Sequence, residues 1–440
     1  MLCSRTSSGA QGRKKEENMK RIFWVSFCVS LLVVVGLCSG PFAAEKGPIK
    51  VGFLCPLTGQ WAEIGKDMAN GFTMYLEEVG YKAAGREIVV VREDTRATPE
   101  TAVTKLRKVV SHDKVAVVGG IITAPSGLAT AAAADELQIP LIIACAAADD
   151  NTQRLRKKWV TRLGWSGSQP MFPFGEWVYK KLGYKKIVTM MLDFQFGYDS
   201  TGGFQKTFEE AGGQIIQKLW VPVNTLDFAP YIARVRTDAD ALLTCFGGAM
   251  NLKFPKQYQE SGMKLPVIST GTNVDEFVLP AQGDEVLGTI SPLHYSAALD
   301  IPANRKFQQK YQTKYKKIGS YYAAHSYEFG MWLVKAIEMV KGDVEDKESF
   351  LKAIKNVKLT DMPRGPFHMD EYGNPVQNVY IRKVEKVKGF PLDFMNSGEI
   401  KWNVVIDTIP AVSQFWKYNP EEYMKQPPYS QDYPACKYCK

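Results

Sequence analysis

The feature that most restricts the fold is an alternation of short apolar runs with amphipathic stretches, played through twice along the chain. Residues 49–54 form a short apolar run broken only by Lys50. Residues 66–79 follow with Met68, Phe72, Tyr75, Leu76 and Val79 at the spacing of one helical face. Residues 88–92 and 115–118 read as the next strands, and a helix over 99–110 between them has proline in its first turn. An alanine-rich helix over 126–137 and a strand over 141–143 close the first series. After 159–163 the theme restarts with helices at 173–182 and 203–210 and strands at 187–192, 215–221 and 241–246. A helix then runs to Ser261 and a strand covers 267–269. Strands alternating with helices imply parallel sheets covered on both faces. Two such series imply an α/β fold of two doubly wound parallel-sheet lobes. Helices over 302–317, 321–341 and 347–357 and strands over 365–369 and 379–387 complete the lobes. Residues 419–440, rich in proline and tyrosine, have no period and read as an extended tail.

Ahead of this pattern, Met19-Lys20-Arg21 precede an apolar stretch over 22–37, followed by small residues Ser39, Gly40, Ala43 and Ala44. That order is a secretory leader starting at Met19 and ending near residue 44, with residues 1–44 outside the fold. The stretch is short for a bilayer span, which needs about 20 apolar residues. Cys38 offers a second reading, a lipidated first residue, ranked behind cleavage because Leu37 stands where a small residue is wanted. Cys55, Cys145 and Cys245 sit in apolar strands and read as buried free thiols. Cys436 and Cys439 are expected to form a small disulfide in an oxidising compartment. The net charge of +9 is spread thinly, and its lysine clusters read as solvated faces, so no nucleic-acid partner is expected.

In open parallel sheets ligands bind outside the carboxyl ends of the strands. Here those positions are loops of small residues. In the first lobe they run from Pro56 to Gly65, from Gly119 to Ser126 and from Ala144 to Asp149; in the second they lie at 193–198, 247–250 and 270–273. Backbone N–H groups left open at helix starts suit a carboxylate. Catalytic groups are scarce. The four histidines, His112, His294, His325 and His368, have no metal-ligand spacing, and each reads as a surface or packed residue. Gly-x-Ser-x-Gly, His-Glu-x-x-His, P-loop and dinucleotide fingerprints are all missing from the sequence, so no cofactor and no metal is expected. Asp193 reads as a cap of the turn after its strand rather than as a base.

These loops resemble the type I periplasmic binding proteins of ABC importers, in the leucine/isoleucine/valine-binding branch with its amide- and aromatic-acid-binding relatives. The resemblance rests on the Pro-Leu-Thr-Gly loop after residues 49–54, the Gly119-Gly120 turn, Ile139-Pro140-Leu141-Ile142, and Phe196-Gly197. It implies a three-crossover hinge near 163–164, 291–292 and 373–378. The lobes are then 45–163 continued by 292–376, and 164–291 continued by 377–418. It also implies a periplasmic monomer that clamps a small molecule and presents it to membrane permease subunits. The ligand-binding candidates carried over are Trp61, Ile64, Thr123, Ala124, Ala146, Ala147, Ala148, Phe196, Gly248, Ala249, Gly271 and Thr272. Thr123 takes the hydroxyl position that donates to a ligand carboxylate. The position that helps hold an ammonium is Ala148, and the acidic partner of that ammonium falls near Gly271 or Thr272, neither charged. An unpaired ammonium in a closed cleft is costly. The ligand expected is therefore not a standard α-amino acid but an apolar or aromatic carboxylate, or a neutral amide. Branched-chain amino acid binding, a sensory receptor of the same fold and a cleft enzyme stand as the alternatives.

Overall fold

In the computed structural model, residues 46–388 and 399–439 are described, together with Met19. The leader at 1–44 and Cys38 lie outside these residues. Residues 48–440 form one compact unit. It is built on two sheets, the first ordered β2-β3-β1-β4-β5-β6. Its strands are β1 (Ile49–Cys55), β2 (Lys82–Ala83), β3 (Arg86–Asp94), β4 (Val117–Gly120), β5 (Leu141–Ile143) and β6 (Val160–Arg162). All pair in parallel except the short β2–β3 hairpin. β1 is apolar nearly throughout because it is buried on both faces. Helices α1 (Ala62–Glu78), α2 (Pro99–Ser111) and α3 (Ala124–Glu136) follow β1, β3 and β4.

The second sheet holds β7 (Lys186–Leu192), β8 (Gln214–Val221), β9 (Ala241–Cys245), β10 (Val267–Ser269), β11 (Ile290–Leu293), β12 (Phe367–Met369), β13 (Pro375–Val387) and β14 (Ile400–Val412). Its order is β12-β13-β11-β10-β9-β7-β8, with β14 added on β13. It is covered by α4 (Met171–Trp177), α5 (Gln195–Glu210), α6 (Ala229–Ile232) and α7 (Met250–Glu260). This sheet differs from the all-parallel expectation. β13 runs antiparallel to β11, β12 and β14. β12, which the sequence reading assigns to the first lobe, is thereby an edge of the second.

Helices α8 (Pro302–Tyr315), α9 (Tyr321–Met339) and α10 (Lys347–Asn356) return to the first sheet. α9 lies so close on α1 that a Cβ at Gly71 would sit 2.0 Å from the Ala323 carbonyl oxygen. Phe72 stacks on Phe53 and meets Phe329 at a tilt, its ring centroid 4.8 Å from each, and seals this core.

The crossing segments are pinned to one another. Buried Arg364 donates through Nε to Glu328 (2.6 Å) and through Nη1 to the Leu163 oxygen (2.7 Å) and to Gln377 Oε1 (2.9 Å). Gln377 Nε2 in turn donates to the Gly164 oxygen at 3.0 Å. Arg162 Nε donates to Asn374 Oδ1 at 2.7 Å. Carbonyls freed where the chain leaves one sheet for the other are thus satisfied by side chains.

The tail is not simply extended. Asn419 Oδ1 accepts from the backbone N–H of Glu421 and Glu422 and caps α11 (Pro420–Met424). Tyr423 and Tyr429 bury against Phe172 and Phe415. Arg154, from the turn between β5 and β6, donates to the Tyr423 and Gln426 oxygens. Gln195 and Gln431 tie the same tail to the turn after β7, through the Tyr429 oxygen and Asp193 Oδ1. Asp193 also accepts from Tyr198 Oη at 2.6 Å, and α5 has no side-chain cap. Cys436 and Cys439 are joined as a disulfide, and Cys55, Cys145 and Cys245 are free and buried. Among the described residues no helix is long and apolar enough to cross a membrane.

Candidate ligand-binding site

The carboxyl ends of β1, β4 and β5 face those of β7, β9 and β10 across a crevice of about 40 Å³. On the first side, the loop after β1 is fixed by Asp94. Its Oδ1 accepts from Leu57 N (2.8 Å) and its Oδ2 from Thr58 Oγ1 (2.6 Å). Burial works against the Asp94 carboxylate, but these bonds and the Arg96 N–H hold it below the usual range. The loop folds back so tightly that a Cβ at Gly65 would lie 1.5 Å from the Pro56 oxygen, which explains the glycine. The result is to aim Trp61 across the crevice. A Cβ built on Gly247, after β9, would stand 2.3 Å from Trp61 Cη2.

After β4, Gly120 takes a left-handed φ of +99°, and Thr123 stands immediately before α3. Thr123 Oγ1 lies 2.6 Å from Ser126 Oγ and 3.3 Å from the Ala97 oxygen. After β5, the Ala147 oxygen accepts from Gly167 N at 2.7 Å. On the second side, Asn273 organises two loops at once. Its Oδ1 accepts from Phe246 N (2.8 Å) and its Nδ2 donates to Thr244 Oγ1 (3.0 Å).

Aromatic rings fill the floor and walls. Trp165 meets Phe196 edge-on at 5.4 Å and Tyr321 at 6.3 Å, and Tyr321 lies 3.8 Å from Tyr322 by ring centroids. Trp165 is 2% exposed, and its Nε1–H has no hydrogen-bond partner. Behind it, at 5.0 Å, is His294, whose Nε2 is 2.8 Å from His325 Nε2. His325 Nδ1 lies 3.2 Å from the Ala144 oxygen, which assigns it the donor proton there. Burial, and then the Arg364 guanidinium, push both imidazoles well below their ordinary range, so the pair is neutral. Burial likewise pushes the Cys145 thiol up, leaving it inert as a nucleophile. No Asp, Glu, Lys, Arg or His is among the residues of the crevice wall. Among the described residues there is also no cluster of side chains suited to a metal ion.

Of the residues singled out from sequence, Trp61, Thr123, Ala124, Ala147, Phe196 and Thr272 line this crevice. Ile64, Ala146 and Ala148 are buried in the first lobe instead, Ala148 giving its carbonyl to Arg162. Gly248 turns beneath Gln60 with φ +56°, Ala249 precedes α7, and the Gly271 oxygen accepts from Arg382. Ile122, Cys145, Phe194 and Gly247 lie in the loops named from sequence without being singled out, Leu192 and Phe246 end their expected strands, and Trp165, Tyr321 and Tyr322 are missed altogether. Trp165 follows a crossover and the tyrosines open a helix, so none lies in a strand-end loop.

The sequence pattern of the periplasmic binding protein family matches residues 48–389. The Leu/Ile/Val-binding protein homolog 6 of Brucella melitensis is 27% identical over 356 residues, spanning 78% of this chain and 89% of its own. The solute-binding protein of an ABC transporter from Rhodopseudomonas palustris BisB5, solved with 3,4-dihydroxybenzoic acid, superposes with a TM-score of 0.77. It is 30% identical and covers 84% of this chain and 99% of its own. An ABC transporter solute-binding protein of R. palustris in complex with benzoate gives a TM-score of 0.76 at 27% identity, over 83% of this chain and 98% of that one. With a match across most of its length and two sheets opposed at a shared crevice, the chain belongs to the periplasmic binding protein family.

Proposed function

We propose that this protein closes its two lobes on a small aromatic carboxylate outside the cytoplasm and passes it, chemically unchanged, to the membrane subunits of an ABC importer. The observation that carries this reading is the wall of the crevice. It is aromatic, and it lacks any carboxylate to pair an ammonium. A ligand carboxylate placed beside Thr123 and the start of α3 meets a hydroxyl and the positive end of a helix. Rings stack on Trp61 and Phe196. The relatives solved with benzoates support the same class. At about 40 Å³ the crevice is smaller than the ~150 Å³ that holds a benzene ring, so the lobes part to admit the ligand and the wall rings shift to seat it on closure.

An α-amino acid fits poorly because its ammonium would be buried unpaired. The protein acts as a monomer, exported by residues 1–44 and released by cleavage near Ala44; an intact mass beginning there, in the periplasmic fraction, is the expected result. The central test is calorimetric titration with benzoate, 4-hydroxybenzoate and leucine. Binding of a benzoate that is recovered unaltered is expected. Tight leucine binding without benzoate binding, or conversion of the bound acid, would overturn the proposal.

A further inference from the structure

Two buried histidines stand directly behind the crevice wall, and ligand contact makes no use of them. His294 follows β11, where the chain leaves the second sheet, and His325 lies one turn after Tyr321 on the same face of α9. The Ala144 carbonyl can only accept, so His325 carries its hydrogen on Nδ1, 3.2 Å away. A neutral imidazole has one such hydrogen. His325 Nε2 is therefore the acceptor at 2.8 Å, and His294 Nε2 is the donor. This leaves His294 Nδ1 bare, and it is indeed without a partner. The order of protons is thus fixed from Ala144 through His325 to His294. Burial, and then the Arg364 guanidinium, keep both rings neutral, with Arg382 acting on His294 as well.

The pair supports the wall at three points. The His294 ring lies 5.0 Å from Trp165 at a 35° tilt and 5.8 Å from Tyr321, edge-on. Tyr321 also meets His325 edge-on at 5.6 Å. Ala144, the anchor, immediately precedes Cys145, and Trp165, Tyr321 and Cys145 all line the crevice. These three come from a crossover, a helix start and a strand end. Apolar side chains could fill the same space without taking imidazoles out of water. Dispersion is non-directional, however, whereas a hydrogen bond fixes the plane of a ring. The plane matters, because aromatic contacts depend on whether an edge or a face is presented.

We propose that His294 and His325 are positioning residues of the cleft. Their hydrogen bond sets the planes of Trp165 and Tyr321, and through them the preference for an aromatic over an aliphatic acid. This role rests on an aromatic acid being the cleft ligand.

The test uses the leaderless protein, purified without a histidine tag and labelled with ¹⁵N-histidine. His112 and His368 are exposed and serve as internal references. The ligand-free spectrum at pH 7 should show one buried imidazole protonated at Nδ1 and the other at Nε2. Saturating benzoate should shift both and leave the references in place. Calorimetry then compares benzoate with cyclohexanecarboxylate. The double variant His294→Phe, His325→Phe replaces both partners by rings and strands no imidazole. It should lose about 2- to 12-fold in benzoate affinity, the worth of one oriented aromatic contact, with less than a twofold change for cyclohexanecarboxylate. Equal losses for the two acids, or an unchanged benzoate affinity, would overturn the positioning role. So would buried imidazole signals that ignore bound benzoate or show another proton order, and these spectra need no variant to fold. If calorimetry detects no benzoate binding, the cleft reading fails and the role falls with it; unresponsive imidazoles with benzoate bound sink the role alone.

Discussion

Replacing Gly247 by alanine is the sharpest test of lobe closure. Gly247 is buried and is not held in a left-handed backbone, so the substitution adds a methyl group and no backbone strain. That methyl would lie 2.3 Å from Trp61 Cη2, where ordinary contact begins at 3.4 Å. The deficit, 3.4 − 2.3, is about 1.1 Å, and Trp61 rides on the opposite lobe. Either the indole shifts off its seat or the lobes stop short of closure by that distance. Overpacking of this kind costs about 1–3 kcal/mol. Because it acts on the closed form only, it appears as a loss of affinity of about 5- to 150-fold. The assay is calorimetric titration with 4-hydroxybenzoate, accompanied by urea unfolding of the free protein, whose midpoint should scarcely move. Trp61→Phe combined with Gly247→Ala should recover part of the loss, because the smaller ring makes room. Wild-type affinity in Gly247→Ala, within twofold, would refute the cross-cleft contact as an element of closure.

Thr272→Glu places a carboxylate in the crevice wall; aromatic acids should bind at least about 100-fold more weakly while leucine gains affinity, both read by titration. Arg364→Met strands Glu328 without its partner and should cost about 3–5 kcal/mol in urea unfolding, with much of it restored when Glu328→Gln is added. Asp149 and Asp199 lie side by side, Asp199 Oδ2 accepting from Asp149 N at 3.0 Å, and burial raises both carboxyls above their ordinary range. The folded state therefore keeps a proton that the unfolded chain releases. Stability falls as pH rises from the unfolded value near 3.8 through the raised folded value. Asp199→Asn should raise the melting temperature at pH 8 and do little at pH 4; an equal gain at both would sink this account.

The lobes are legible in the sequence because buried parallel strands, such as Ile49–Cys55, are apolar runs, and their helices carry one apolar face. The cleft is half legible for the same reason. Trp61 and Thr123 belong to loops that directly follow strands, and the position rule points there. The remainder depends on pairings that no local pattern encodes. β14 is added to β13 beyond residues 389–398, and its antiparallel register follows from that edge position rather than from its composition. His294 and His325 each look like ordinary packed residues until the fold sets them 2.8 Å apart beneath Trp165. Tyr321 and Tyr322 open a helix whose residues are nearly all buried, and only the return of α9 to the first sheet turns them toward the crevice.

The C-terminal segment grips the Arg154 turn of one sheet and the Asp193 turn of the other. A ribbon sewn across one edge of a pair of jaws lets them gape only from the opposite edge. Any parting of the lobes that keeps these bonds pivots about the ribbon, so the strand-end loops farthest from residues 419–440 travel the most.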